Sequence, residues 1–253
     1  MADTNFPEEP ELRGRETLAL YQARRAVEAA RRADATPDET WKWLPGVLGM
    51  PVELDAPGLS RPPLATWGLS ALIALVSLLA FTNLDSAVQE FGFIPAQFWR
   101  YGGATLLTSF FLHGGILHLL DNLYFFLIFG DNVEDFLGYR RFGLLLLLST
   151  VAGDLLHFLA NPHAMVPCVG ASGGIAGVLA FYALKFPRVR VGFCFWARLA
   201  WFQMPAWAAF ALWTMLQLLG VFEQLSGFSH VSALAHLGGV LAGVAAWACW
   251  RKL

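Results

Sequence analysis

Six stretches of the chain are apolar over the ~20 residues needed to cross the ~30 Å hydrocarbon core of a bilayer. They are residues 65–83, 116–136, 142–161, 171–187, 200–221 and 230–250. Each is continuously apolar with no alternation, which predicts helices and argues against a transmembrane barrel. Ahead of them the pattern differs. Residues 11–33, ELRGRETLALYQARRAVEAARRA, combine helix formers with apolar positions at helical spacing and predict a helix. Residues 36–63 hold six prolines and three glycines and read as a linker or surface-lying segment. Its Trp41, Trp43 and Leu44 suit the bilayer interface, a partner, or a small packed subdomain. The connection over 85–115 is too long and too apolar for a plain loop, so it is expected to lie embedded at the outer interface, with Phe98 and Trp99 at headgroup depth.

Composition sharpens this picture. The 253 residues are 57% hydrophobic and only 14% charged, with a mean hydropathy of +0.52, which excludes a disordered chain, a coiled coil and a collagen-like fibre. With 17 basic against 19 acidic residues, no basic surface for nucleic acid is implied. Eight of the basic residues fall within the first 64 positions, dividing the chain into a cytoplasmic tail or small helical region, 1–64, and a membrane body, 65–253. The opening MADTNFPEEPE is acidic and lacks the apolar core of a signal peptide. If the six spans alternate, 16 basic residues lie on the side of both termini and only Arg100 on the other, so both termini are expected in the cytoplasm. Six spans without an extra one, and no targeting peptide, suggest a bacterial inner membrane. Cys168, Cys194 and Cys249 have no CxxC spacing and read as apolar packing residues, not as a disulfide framework or metal site.

Against so apolar a background, polar groups within the spans mark sites by default. They are His113, His118, Asp121 and Asn122 at the second span, Asp154 and His157 in the third, Ser172 at the mouth of the fourth, Gln203 and Gln217 in the fifth, and His236 in the sixth. Spans two, four and six run inward from the outer side, which puts His118, Asn122, Ser172 and His236 within roughly 10 Å of that face. His118 and Asn122, four apart, share a helix face. GASGGIAG (170–177) and the stripe Ala235, Gly239, Gly243 let two helix backbones approach closely. That approach brings a hydroxyl to an imidazole, the arrangement that makes serine a nucleophile. Asp154 and His157 could pair with each other or relay protons, though interhelical bonding is the simpler role, as for the two glutamines. Asp121 has no assigned role. No HExxH occurs, which argues against a zinc protease.

GASG (170–173) and AHLGGVLAG (235–243), after HGGILHLLDN (113–122) and GDNVEDFLG (130–138), resemble the rhomboid intramembrane serine proteases over residues 65–250. The resemblance implies a six-helix rhomboid-like bundle with no cofactor or metal. Ser172 matches the family nucleophile and His236 its general base, a dyad without a third carboxylate. His118, Asn122 and the Ser172 backbone N–H match the oxyanion donors. His113 and Glu134 match structural positions, Gly170 and Gly173 belong to the GxSG motif, and Gly239 and Gly243 match the glycines between helices six and four. Two positions depart from the pattern. Ala176 stands where some members stack an aromatic on the imidazole, and Trp99–Arg100, resembling the Trp-Arg loop motif, lies about five residues too far from His113. The implied substrates are transmembrane proteins, met among membrane lipids and cut in extended backbone near small side chains. A client-binding member without catalysis and a small transporter are the rival functions.

Overall fold

The computed structural model of the protein describes residues 20, 22–23, 40–195, 200–226 and 231–253. Most of the helix expected over 11–33 lies outside these, although Leu20, Gln22 and Ala23 are helical. Two compact units result. The first is Met1–Leu54 with Gly192–Gln203, and the second is Asp55–Val191 with Met204–Leu253.

The first unit contains helix α1 (Trp43–Val47) and most of a three-stranded sheet ordered β1 (Val52–Glu53), β2 (Arg190–Phe195), β3 (Ala200–Pro205). Phe193 and Phe202 stack across the hairpin with centroids 5.3 Å apart, a cross-strand aromatic pair of the kind that stabilises ladders. Trp43 packs edge-on against Trp201 at 5.2 Å, while Leu44 is exposed. The strands correct the fifth predicted span. Its first six residues, with Gln203 among them, form β3, and the helix begins only after Pro205, whose extended backbone ends the strand.

The second unit is helical: α2 (Leu64–Ala80), α3 (Leu84–Phe91), α4 (Thr105–Thr108), α5 (Ile116–Ala160), α6 (Ser172–Lys185), α7 (Ala206–Leu225) and α8 (Ala233–Trp250). Among the described residues, four helical stretches are long and apolar enough to cross a membrane: Leu64–Phe91, Ile116–Ala160, α7 and α8. The 14-residue α6 is shorter, about 21 Å. Helix α5 breaks at Gly138, whose φ of 72° and ψ of 157° suit only glycine. Phe126 and Phe142 flank that break and stack 5.8 Å apart, whereas 16 residues of straight helix would span about 24 Å. The second arm therefore folds back along the first.

Contact registers give the directions. In the first arm His118 meets Gly170 and Phe129 meets Tyr182, so this arm runs parallel to α6. In the second arm Ser149 meets Gly177 and Thr150 meets Gly174, with Asp154 beyond them toward Ser109, whose carbonyl accepts from Gly170 N–H. That arm is antiparallel to α6. Helix α8 is parallel to α6, and a side chain on Gly239 or Gly243 would strike the carbonyl of Gly173 or Gly177. Helix α7 is antiparallel to α8, since Gly220 meets Ala233 while Gln217 and Trp213 reach His236.

Glu134 anchors the start of α2. Its carboxylate accepts from Ala65 N–H (2.9 Å), Thr66 N–H (2.7 Å) and the Thr66 hydroxyl (2.8 Å). An anion on the free N–H groups of a helix start is favourable both as a cap and against the dipole. The connection over 85–115 is folded into short helical turns, with Phe93, Ile94, Phe110 and Leu112 buried. Phe93 and Cys168 exchange both backbone hydrogen bonds (3.0 and 2.7 Å), tying this connection to the loop before α6. Arg100 donates to the carbonyls of Gln89 (2.6 Å) and Gly92 (2.7 Å), a cation closing the C-terminus of α3. All three cysteines are unbridged, and Cys249 is exposed instead of packed.

Candidate functional site

Ser172 is the first residue of α6. Ile175 N–H donates to Ala171 carbonyl at 3.0 Å as the first helical bond, so the Ser172 N–H has no intrahelical partner and carries the positive end of the helix dipole. Gly170 turns the chain into this position with φ of +131°, and a side chain there would also come within 3.0 Å of the His118 ring. The serine thus stands half-buried at a corner between a turn and a helix, on the wall of a cavity. The seam of Gly173, Gly239 and Gly243 draws α8 against α6, and His236 Nε2 lies 2.8 Å from Ser172 Oγ.

The other polar residues converge here. His118, Asp121, Asn122, Asp154, Ser172 and His236 all line one cavity of about 820 Å³. His118 Nδ1 accepts from Gly114 N–H (3.4 Å), which leaves the proton on Nε2, the edge turned toward Gly170 and Ser172. Asn122 Nδ2 donates to the His118 carbonyl at 2.8 Å with one N–H left over, and its Oδ1 is buried without a partner.

His113 is fully buried behind the cavity, and its proton positions follow from its partners. Ser77 donates to the Phe111 carbonyl (2.8 Å) and so accepts from His113 Nδ1–H (2.9 Å), leaving Nε2 to accept from Ala171 N–H (3.5 Å). Burial first, and His118 second, push His113 down to about 3, which keeps it neutral as this network requires. His113 therefore joins α2 to the residue before Ser172.

One expectation is corrected. Trp99 and Arg100 do not reach the cavity; they line a separate open depression with Phe98 and His163, and Trp99 is largely exposed. Asp154 and His157 take the simpler role expected of them, bonding to other elements and not to each other. Asp154 accepts from Ser109 (3.5 Å), while His157 Nδ1 meets Ser232 (2.8 Å) and Gln224 (3.2 Å). Ala176 offers the His236 imidazole no stacking ring, and Trp213 from α7 lies beside it, centroids 5.8 Å apart.

Sequence reasoning missed Trp213 and gave Gln217 an interhelical bond without its partner, which is His236, with Gln217 Oε1 2.7 Å from His236 Nδ1. The signal was present: Ala206, Phe210, Trp213, Gln217 and Gly220 recur at helical spacing on the less exposed face of α7.

Comparison with known proteins follows the same lines. A family model described as the Rhomboid domain matches residues 95–252. The chain is 37% identical over 81 residues to "RHOMBOID-like protein 6, mitochondrial" of Arabidopsis thaliana, covering 32% of this chain and 24% of the relative. It is 37% identical over 83 residues to "Rhomboid-like protease 3" of Toxoplasma gondii (33% and 29%). A third relative, "Inactive rhomboid protein 1" of Drosophila melanogaster, is 37% identical over 86 residues (34% and 6%). Each match spans less than a third of the relative's length. With the Rhomboid domain covering more than half of its residues, the chain belongs to the rhomboid family.

Proposed function

We propose that the protein is an intramembrane serine endopeptidase that hydrolyses peptide bonds in or near transmembrane helices of its substrates. The observation that carries this reading is the 2.8 Å contact between His236 Nε2 and Ser172 Oγ at the start of a helix. Ser172 donates its proton to His236 and attacks the scissile carbonyl. The oxyanion is stabilised by Ser172 N–H, His118 Nε2–H and the spare N–H of Asn122, each such donor being worth roughly 10²–10³ in rate. His236 then protonates the leaving amine, and the acyl-enzyme is hydrolysed by water entering through the cavity, with His236 again the base.

In this reading the protease domain spans 65–253, residues 1–64 precede it, and the helices make six crossings. The two arms of α5 and the alternating directions of successive helices support the count, and the connection over 85–115 lies in the outer interface. At about 21 Å, α6 is too short for the ~30 Å core, so its serine lies below the outer surface. The charge asymmetry favours both termini in the cytoplasm. The named relatives are eukaryotic and lend no support to a bacterial source.

The likeness to an inactive rhomboid favours a second reading, client binding without cleavage. The presence of Ser172 beside His236 supports catalysis over it. Reconstituted with a panel of transmembrane substrates, wild type is expected to cleave, and Ser172→Ala and His236→Ala to lose cleavage. A fluorophosphonate probe is expected to label Ser172. A folded wild type that neither cleaves nor labels overturns the protease reading, and transport surviving Ser172→Ala would point to a transporter.

A further inference from the structure

A serine–histidine pair leaves the imidazole with two neutral tautomers and a free ring rotation, and only one arrangement turns a lone pair to the serine. In soluble triads a carboxylate accepts from Nδ1–H and selects it. Here Nδ1 of His236 faces the amide oxygen of Gln217 at 2.7 Å. An amide oxygen only accepts, so Nδ1 carries the proton and Nε2 presents its lone pair to Ser172 Oγ at 2.8 Å. One turn earlier on α7, Trp213 lies against the same ring. Trp213 and Phe210 also pack on Ala176, Ala180 and Val240, filling the space that small Ala176 leaves. The ring is thus held at its Nδ1 edge by Gln217 and flanked by the tilted ring of Trp213, both from one helix.

We propose that Gln217 is the positioning residue of this site, its amide oxygen holding His236 in the Nδ1–H tautomer where a triad would use a carboxylate. The inference rests on the protease reading for its purpose. As His236 takes the serine proton, the Nδ1–H bond to Gln217 becomes charge-assisted and strengthens, so it favours the transition state over the resting enzyme.

The test compares Gln217→Met, similar in length but without the acceptor, with Gln217→Glu, which keeps one. The full chain is studied in lipid, reading the rate of Ser172 labelling by a fluorophosphonate, thermal unfolding, and the nitrogen-15 spectrum of His236. Gln217→Met is expected to label about 10–100-fold more slowly at an unchanged unfolding temperature, with Gln217→Glu within about threefold of wild type. In wild type the spectrum is expected to show a protonated Nδ1. Labelling of Gln217→Met at the wild-type rate overturns the proposal, as does equal slowing in both variants. An unprotonated Nδ1 in wild type overturns it too, whether or not Gln217→Met folds. Wild type that fails to label refutes the protease reading instead, while its spectrum still reports the tautomer.

Discussion

Helices α7 and α8 both meet His236, and they do so by opposite means. Helix α8 carries the histidine and lies so close to α6 that backbone touches backbone, with Gly239 and Gly243 against the carbonyls of Gly173 and Gly177. Helix α7 touches through large side chains, and only 6% of its most apolar stretch is buried, against 39% for α8. The contrast separates two requirements of one contact. A seam without side chains sets the distance between hydroxyl and imidazole, since nothing flexible lies between the backbones. A lightly packed helix with a polar tip and an aromatic face sets how the ring is turned.

Breaking the seam should have the largest effect. Gly239→Val places carbons where the Gly173 carbonyl stands, so about 4 kcal/mol or more of stability is expected to be lost, with serine labelling lost alongside. Unfolding followed by tryptophan fluorescence in detergent checks this, and near-normal stability would show that the seam can spread. Next, His118→Ala should leave folding largely intact but lower cleavage roughly 10²–10³-fold, mostly in kcat. A change confined to KM would instead assign His118 to substrate binding. Glu134→Gln should cost about 1–2 kcal/mol through the start of α2, read as a lower unfolding temperature, with the rate of the surviving enzyme unaltered. The smallest effect belongs to the outer face of α7. Leu219→Ala, at a position 60% exposed, should change stability by less than about 0.5 kcal/mol. A larger loss would mean that α7 is packed on both faces and that the contrast with α8 is overstated.

Much of the helical body could be read from the chain, because lipid leaves continuous apolar runs little choice but helix. The misreadings occurred where that rule stops applying. Residues 200–205, AWFQMP, are as apolar as a span, but they stack across a hairpin through Phe202 and Phe193. Hydropathy does not distinguish a short strand from the start of a helix. For Asp154 and His157, three apart on one helix, bonding to other helices was the simpler expectation, but spacing along the chain could not name the partners. Their partners came from distant parts of the chain: Ser109 for one, Ser232 and Gln224 for the other.

The nearness of Ser172 and His236 was readable because small residues at fixed spacing have one strong consequence, close approach of backbones. The tautomers were not readable. They depend on which acceptor or donor lies at the second nitrogen of each ring: Gly114 N–H for His118, the Ser77 hydroxyl for His113, and the Gln217 amide for His236. The sequence alone determined the solvent, most of the helices and the family, since each follows from residue type and spacing along one chain. Only the tertiary structure decided proton positions and ring orientation, because those depend on the geometry of single hydrogen bonds, two of the three between different helices or loops.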